Sequence, residues 1–163
     1  MTKIVGIVIG LVVISAGVWV AQCPCERSPG AWVFGNVVDE TVADWSFAND
    51  AGLCQLEVSA FIPHSINLNC MADRSELFVS CARCDGKRWS TVAMKTPYGR
   101  IKILDSVYPV KMVRVLDDAT LDRAWRARAN KRRGRSTATL PPPRPSHWWS
   151  FQLESYGDST RQN

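Results

Sequence analysis

A run of eighteen residues without a charge, Ile4 to Ala21, constrains this chain more than any other feature. As a helix rising ~1.5 Å per residue it covers ~27 Å, close to the ~30 Å hydrocarbon core of a bilayer. It is the one long apolar run in the sequence, which excludes a polytopic membrane protein. The run reads best as an uncleaved single-span anchor over residues 1–22. A cleaved signal peptide wants a shorter apolar core and a small-x-small site, which Val20-Ala21-Gln22 fits poorly. A lipidated Cys23 wants a small residue before it, where Gln22 stands. Lys3 precedes the span and Arg27 is the nearest cation after it. That balance leans to a single-pass protein of the cell membrane with its domain on the non-cytoplasmic side.

About 140 of the 163 residues remain for a domain of ordinary size. We divide them into a juxtamembrane segment at 23–50, a folded domain at 51–155 and a polar tail at 156–163. The net charge of +5 is local, because residues 111–135 hold nine Lys or Arg against three Asp. A basic helix and its extension carry the charge, which argues against a general nucleic-acid binder. Anionic lipid or nucleic acid could meet this segment, and so could plain solvent.

The domain reads as strands. Leu53–Val58 mixes apolar and polar positions, and Ile66, Leu68 and Cys70 alternate with Asn67 and Asn69. Ala72–Ser75 reads as a turn, and Leu77–Cys81 as the strand completing a hairpin. Lys87–Lys95 has helical spacing and meets Thr96-Pro97 as a stop. Arg100–Leu104 and Val107–Leu116 are strands around a turn at Asp105-Ser106, and Pro109 suggests an edge or a bulge. Asp117-Asp118 caps a helix running to about Arg133. A proline-rich insertion at 135–146 precedes a last strand, Trp148–Glu154. Six short strands and tight turns predict a mainly β, antiparallel barrel with two helices, preceded by the transmembrane helix. Neither a Gly-x-Gly-x-x-Gly nor a Walker A motif is present.

Of the six cysteines, Cys54 and Cys70 lie in apolar stretches and read as small buried hydrophobes. Cys81-Ala-Arg-Cys84 reads as a structural disulfide or two partly buried thiols, with a redox pair as an alternative. Zinc would need two further ligands, so no metal site is expected. Cys23 and Cys25 stay open between acylation, an intermolecular disulfide and no special role.

One stretch carries a resemblance. Ile62-Pro63-His64-Ser65-Ile66-Asn67-Leu68-Asn69-Cys70 is followed by Glu76-Leu77-Phe78-Val79-Ser80-Cys81. Then come Gly86-Lys87-Arg88-Trp89 with the helix to Pro97, Arg100-Ile101-Lys102-Ile103 and the closing Trp149-x-Phe-x-Leu. This order resembles the FMN-binding split β-barrel superfamily, which includes pyridoxamine 5′-phosphate oxidase and the deazaflavin-dependent reductases. The resemblance covers about residues 50–155 and implies a six-stranded split barrel. It implies that Ser80, Lys87 and Arg88 hold the phosphate of FMN or of a related flavin or deazaflavin, and that Ser65 faces the ring. Cations and free amides at a helix start suit such an anion. It further implies a homodimer and an oxidoreductase acting on a small molecule. Two features depart from the family: the Cys81-x-x-Cys84 loop, where members carry Thr, Asn or Ser, and the anchor. A non-catalytic ligand-binding or scaffold barrel, and a thiol-redox protein using Cys81 and Cys84, are the alternative functions.

Overall fold

The structure, a computed structural model, describes residues 2–22, 28–132 and 141–157. Cys23, Cys25, the end of the basic helix, the start of the proline-rich insertion and the last tail residues lie outside the described residues. Helix α1 runs Thr2–Gln22, and every side chain from Ile4 to Val18 is exposed. Among the described residues no helix is long and apolar enough to cross a membrane. The structure therefore does not show the expected transmembrane span.

The domain holds eight strands among the described residues, where six were expected: β1 Asn36–Val37, β2 Cys54–Val58, β3 His64–Leu68, β4 Cys70–Asp73, β5 Glu76–Ala82, β6 Tyr98–Ile103, β7 Ser106–Arg114 and β8 Trp148–Ser155. Helices α2 (Arg88–Lys95) and α3 (Asp118–Arg132) complete it, with a 3-10 turn at Ser46–Asn49. One sheet runs in the order β3-β2-β6-β7-β8-β5-β4, with β1 parallel on β7. Two differences account for the count. The short β1 has no alternation to reveal it. The run Ile66–Cys70 is not one strand: the chain leaves β3, which pairs with β2, and at Asn69 enters β4, which pairs with β5. Sequence neighbours thus become the two ends of the sheet, and the barrel is split between them.

The β4–β5 hairpin turns at Arg74 and Ser75, both at positive φ (49° and 68°), as a two-residue hairpin turn requires. The β6–β7 turn is Leu104-Asp105, one residue earlier than expected. Pro109 sits where β7 changes its neighbour, after β1 at Ser106-Val107 and before β8 starts at Val110. That interval is a local edge, so the missing N–H costs no ladder bond. At Gly99 a Cβ would lie 2.3 Å from the Glu57 carbonyl oxygen, so only glycine lets β6 approach β2 there.

Alternate residues point into the barrel. Leu56, Val58, Leu77, Val79, Ile101, Ile103, Phe151 and Leu153 are essentially inaccessible to solvent and form one core with Trp89 of α2. Cys54 and Cys70 meet inside it as a disulfide with Cα atoms 5.8 Å apart, which corrects the reading of two free buried thiols. A second core on the outer face joins Met71, Phe78 and Trp148 to Leu121 and Ala124 of α3.

The basic helix is partly structural. Arg123 pairs with Asp73 and Glu76, and Lys131 Nζ donates to the Ala48 and Cys70 carbonyls at 2.8 and 2.6 Å. The described end of the proline-rich insertion packs back on α3. Trp125 Nε1 donates to the Pro142 carbonyl at 2.7 Å, and Arg144 pairs with Asp118 and Asp122.

Residues 28–38 form a strap across the barrel. Gly30 and Ser65 exchange two backbone hydrogen bonds of 2.9 and 2.8 Å. The Val33 N–H donates to Glu57 Oε2 at 2.6 Å, and the Val38 N–H to the Val107 carbonyl at 2.9 Å. Glu57 is 7% exposed, and Arg100 completes its partners from the paired position on β6 with contacts of 3.0 and 2.6 Å.

Candidate functional site

Beside the split, between β3 and the last residues of β5, lies a cavity of about 470 Å³. Its walls are Ile66–Leu68 of β3 with Asn69 just beyond it, Ser80–Ala82 at the end of β5, and Lys87 and Trp89 where α2 starts. Ser28 and Pro29, at the start of the strap, close one side. Two of the four expected site residues, Ser80 and Lys87, therefore meet in one place.

Local chemistry explains how they are held. The Ser80 hydroxyl lies 3.2 Å from the Ser150 hydroxyl, on the directly paired position of β8. Lys87 stands immediately before α2 in extended conformation, and no side chain caps the helix. Its Nζ donates to the Ala82 carbonyl at 3.1 Å. An uncapped helix start beside an exposed ammonium group is suited to an anion. The connecting loop is pinned by the Cys81–Cys84 disulfide (Cα–Cα 5.5 Å) and by the Ser90 hydroxyl, which donates to the Cys84 carbonyl at 2.5 Å.

The other two expected residues lie elsewhere. Arg88 turns away from the cavity, and its Nη2 donates to the Ile62 carbonyl at 3.3 Å. Ser65 is inaccessible to solvent under the strap, with its hydroxyl unpartnered and its backbone pairing with Gly30. The residues present thus fit the phosphate end of a flavin, through Lys87 and the α2 amides, while Ser65 is not available to a ring. Sequence reasoning missed Asn67, Asn69 and Trp89 as cavity walls. The alternating asparagines were the signal, since two amides on one side of an apolar strand mark a polar face.

His64 is 8% exposed beside this region. Burial first, and then the Arg88 charge, hold its pKa below the ordinary 6.5. The folded chain keeps His64 neutral while the unfolded chain gains a proton as pH falls through 6.5. The unfolded state then binds more protons, so stability is complete above that pH and declines below it. Denaturant midpoints measured at about pH 7.5 and about pH 5.5 should fall more for this chain than for His64→Gln; an equal fall in both counts against the assignment.

Among the described residues no group of three or more His, Cys, Asp or Glu side chains is placed to hold a metal ion. No family model matches the chain, and no curated protein matches its sequence. Solved structures do match. A Listeria innocua protein described as "Putative Pyridoxamine 5'-phosphate oxidase" superposes with a TM-score of 0.52 at 10% identity, over 67% of this chain and 87% of that one. A Bacteroides thetaiotaomicron protein described as a "putative 5-nitroimidazole antibiotic resistance protein" gives 0.53 at 10% identity, over 71% and 82%. The chain has the split β-barrel fold. Within that fold, the β3 end of the sheet, the end of β5 and the start of α2 are the parts that build the cavity. At this identity the likeness extends to the fold and leaves chemistry to the side chains.

Proposed function

We propose that this chain is a split-barrel protein that holds FMN or a related flavin or deazaflavin in the cavity between β3 and the end of β5. The observation carrying this reading is the convergence of Ser80, Lys87 and the uncapped start of α2 on one cavity. Lys87 Nζ and the first amides of α2 would hold the phosphate, and Trp89 and the β3 edge would flank what extends from it. A bound flavin would supply hydride or electron chemistry toward a small molecule. The supporting comparison is the Listeria protein, whose description names an oxidase of a pyridoxamine phosphate.

We propose further that residues 4–21 anchor the domain to the cell membrane with the barrel on the non-cytoplasmic side. An isolated helix presenting Ile, Val and Leu on all sides has no aqueous partner for that surface, and a bilayer provides one. The two disulfides suit an oxidising compartment. A homodimer belongs to the same reading, with the exposed Trp32, Phe61 and Ile62 available for pairing.

Titration of the full chain in detergent micelles with FMN, and separately with a deazaflavin, tests the cofactor. Saturable quenching of cofactor fluorescence is expected. Lys87→Ala should weaken binding about 10- to 100-fold, the worth of one charge-assisted hydrogen bond. A chain that takes up neither cofactor loses this reading. The non-catalytic ligand-binding barrel, which the buried Ser65 already favours, then takes its place.

A further inference from the structure

We propose that the Cys81–Cys84 disulfide is a thiol-exchange switch set into the loop that carries Lys87. The chain holds two described disulfides in opposite situations. Cys54 and Cys70 are 1% and 0% exposed and lie in the barrel core. Cys81 is partly exposed on the wall of the cavity, and Ala82 and Arg83 beside it are exposed. An external thiolate can approach the second pair and not the first, and accessible disulfides are the ones that exchange.

The loop is built to respond. Between its cysteines Arg83 is held at φ 53°, a left-handed conformation that arginine rarely adopts, and Gly86 follows at φ 74°. Four ties hold it there: the disulfide, the Arg83 N–H to the His147 carbonyl at 3.1 Å, the Lys87 N–H to the Cys84 carbonyl at 3.1 Å, and the Ser90 hydroxyl to that same carbonyl. The Ala82 carbonyl that accepts from Lys87 Nζ belongs to the last residue of β5, between the two cysteines and immediately before the loop turns at Arg83. The Cys84 sulfur is 3.3 Å from the Cys81 carbonyl, an acceptor in place for the thiol that reduction creates.

The exchange balances with a dithiol as reductant. One of its thiolates attacks Cys81 Sγ, forming a mixed disulfide and expelling the Cys84 thiolate. The second thiolate attacks the mixed disulfide and releases Cys81. The dithiol ends as a disulfide, oxidised by two electrons. Its two protons end on Cys81 and Cys84. The loop then loses its cross-link, and the segment from Arg83 to Lys87 is freed from its tie to the end of β5.

The switch rests on loop geometry; its consequence for a ligand rests on the flavin reading. The test uses the full chain in micelles, titrated with dithiothreitol, followed by alkylation and mass spectrometry and by amide exchange across residues 82–87. Cys81 and Cys84 should be alkylated while Cys54 and Cys70 stay protected. Loop exchange should quicken about tenfold or more on reduction, with Cys81→Ser/Cys84→Ser fast from the outset. Reduction of both pairs together, only as the chain unfolds, overturns the switch, and so does loop exchange that is the same in both forms. FMN binding about tenfold weaker in the reduced form supports it, and equal binding by both forms counts against it. FMN binding to neither form removes the flavin reading, and alkylation and exchange then decide the switch alone.

Discussion

Phe151→Ala is expected to destabilise the domain by about 3–5 kcal/mol, the cost of deleting a fully enclosed aromatic ring. Phe151 is 0% exposed. It sits on β8, paired with Val79 of β5 on one side and Arg114 of β7 on the other, so it occupies the middle of the sheet. Its ring centroid lies 5.3 Å from that of Trp89, the residue that seats α2 on the barrel. The cavity left by truncation is walled by regular strands that cannot collapse, which places the cost at the upper end for such changes. A domain stability of about 5–15 kcal/mol would lose a large share. Because Trp89 also lines the candidate site, the variant should bind FMN more weakly even where it remains folded. Urea unfolding of the full chain in micelles measures the first effect and cofactor titration the second. A loss under about 1 kcal/mol would show that the strands close around the hole and that the sheet is more pliable than its burial implies.

What the sequence could and could not reveal follows from which interactions are local. The alternation in Arg100–Ile103 and in Trp149–Leu153 reports one buried face and survives in the structure. The start of α2 was legible from Trp89, Val92 and Ala93 at helical spacing. The passage from β3 to β4 at Asn69 was not, because alternation is the same whichever neighbour a strand pairs with. The pairing of Cys54 with Cys70 depends on the β2–β3 register, which sets Cys54 opposite Leu68, two residues before Cys70, and a spacing of 16 residues does not reveal that register. The strap was invisible for a similar reason: its bonds go to the backbone of β3 and β7 and to one side chain on β2. The candidate site was half legible. Ser80 and Lys87 flank a loop short enough to keep them together, whereas Ser65 and Arg88 depend on where the strap and the β2–β3 connection lie. Glu57 could have been noticed. An acid between Leu56 and Val58 must be paired if both strand faces are buried, and Arg100 is a cation on the neighbouring strand.

That pair yields the second large effect. Arg100→Met is expected to cost about 2–4 kcal/mol, below the full value for a wholly buried pair because the Arg100 side chain is 35% exposed. The substitution removes two hydrogen bonds and leaves the Glu57 carboxylate, 9% exposed, with the Val33 N–H as its remaining partner among those described. The cost is chiefly that of an uncompensated charge, so it should shrink when the charge is removed as well. Glu57→Gln combined with Arg100→Met should recover part of the loss, and a double-mutant cycle measures the coupling. The strap supplies a second readout. Glu57 holds Val33 in place, so Arg100→Met should raise amide exchange across 30–38 more than across β4 and β5. Raised exchange there would uncover Ser65 and bring that expected site residue within reach of a ligand. Strictly additive single and double variants would mean that Glu57 is solvated in place, and that the strap is held by Gly30 and β1 alone.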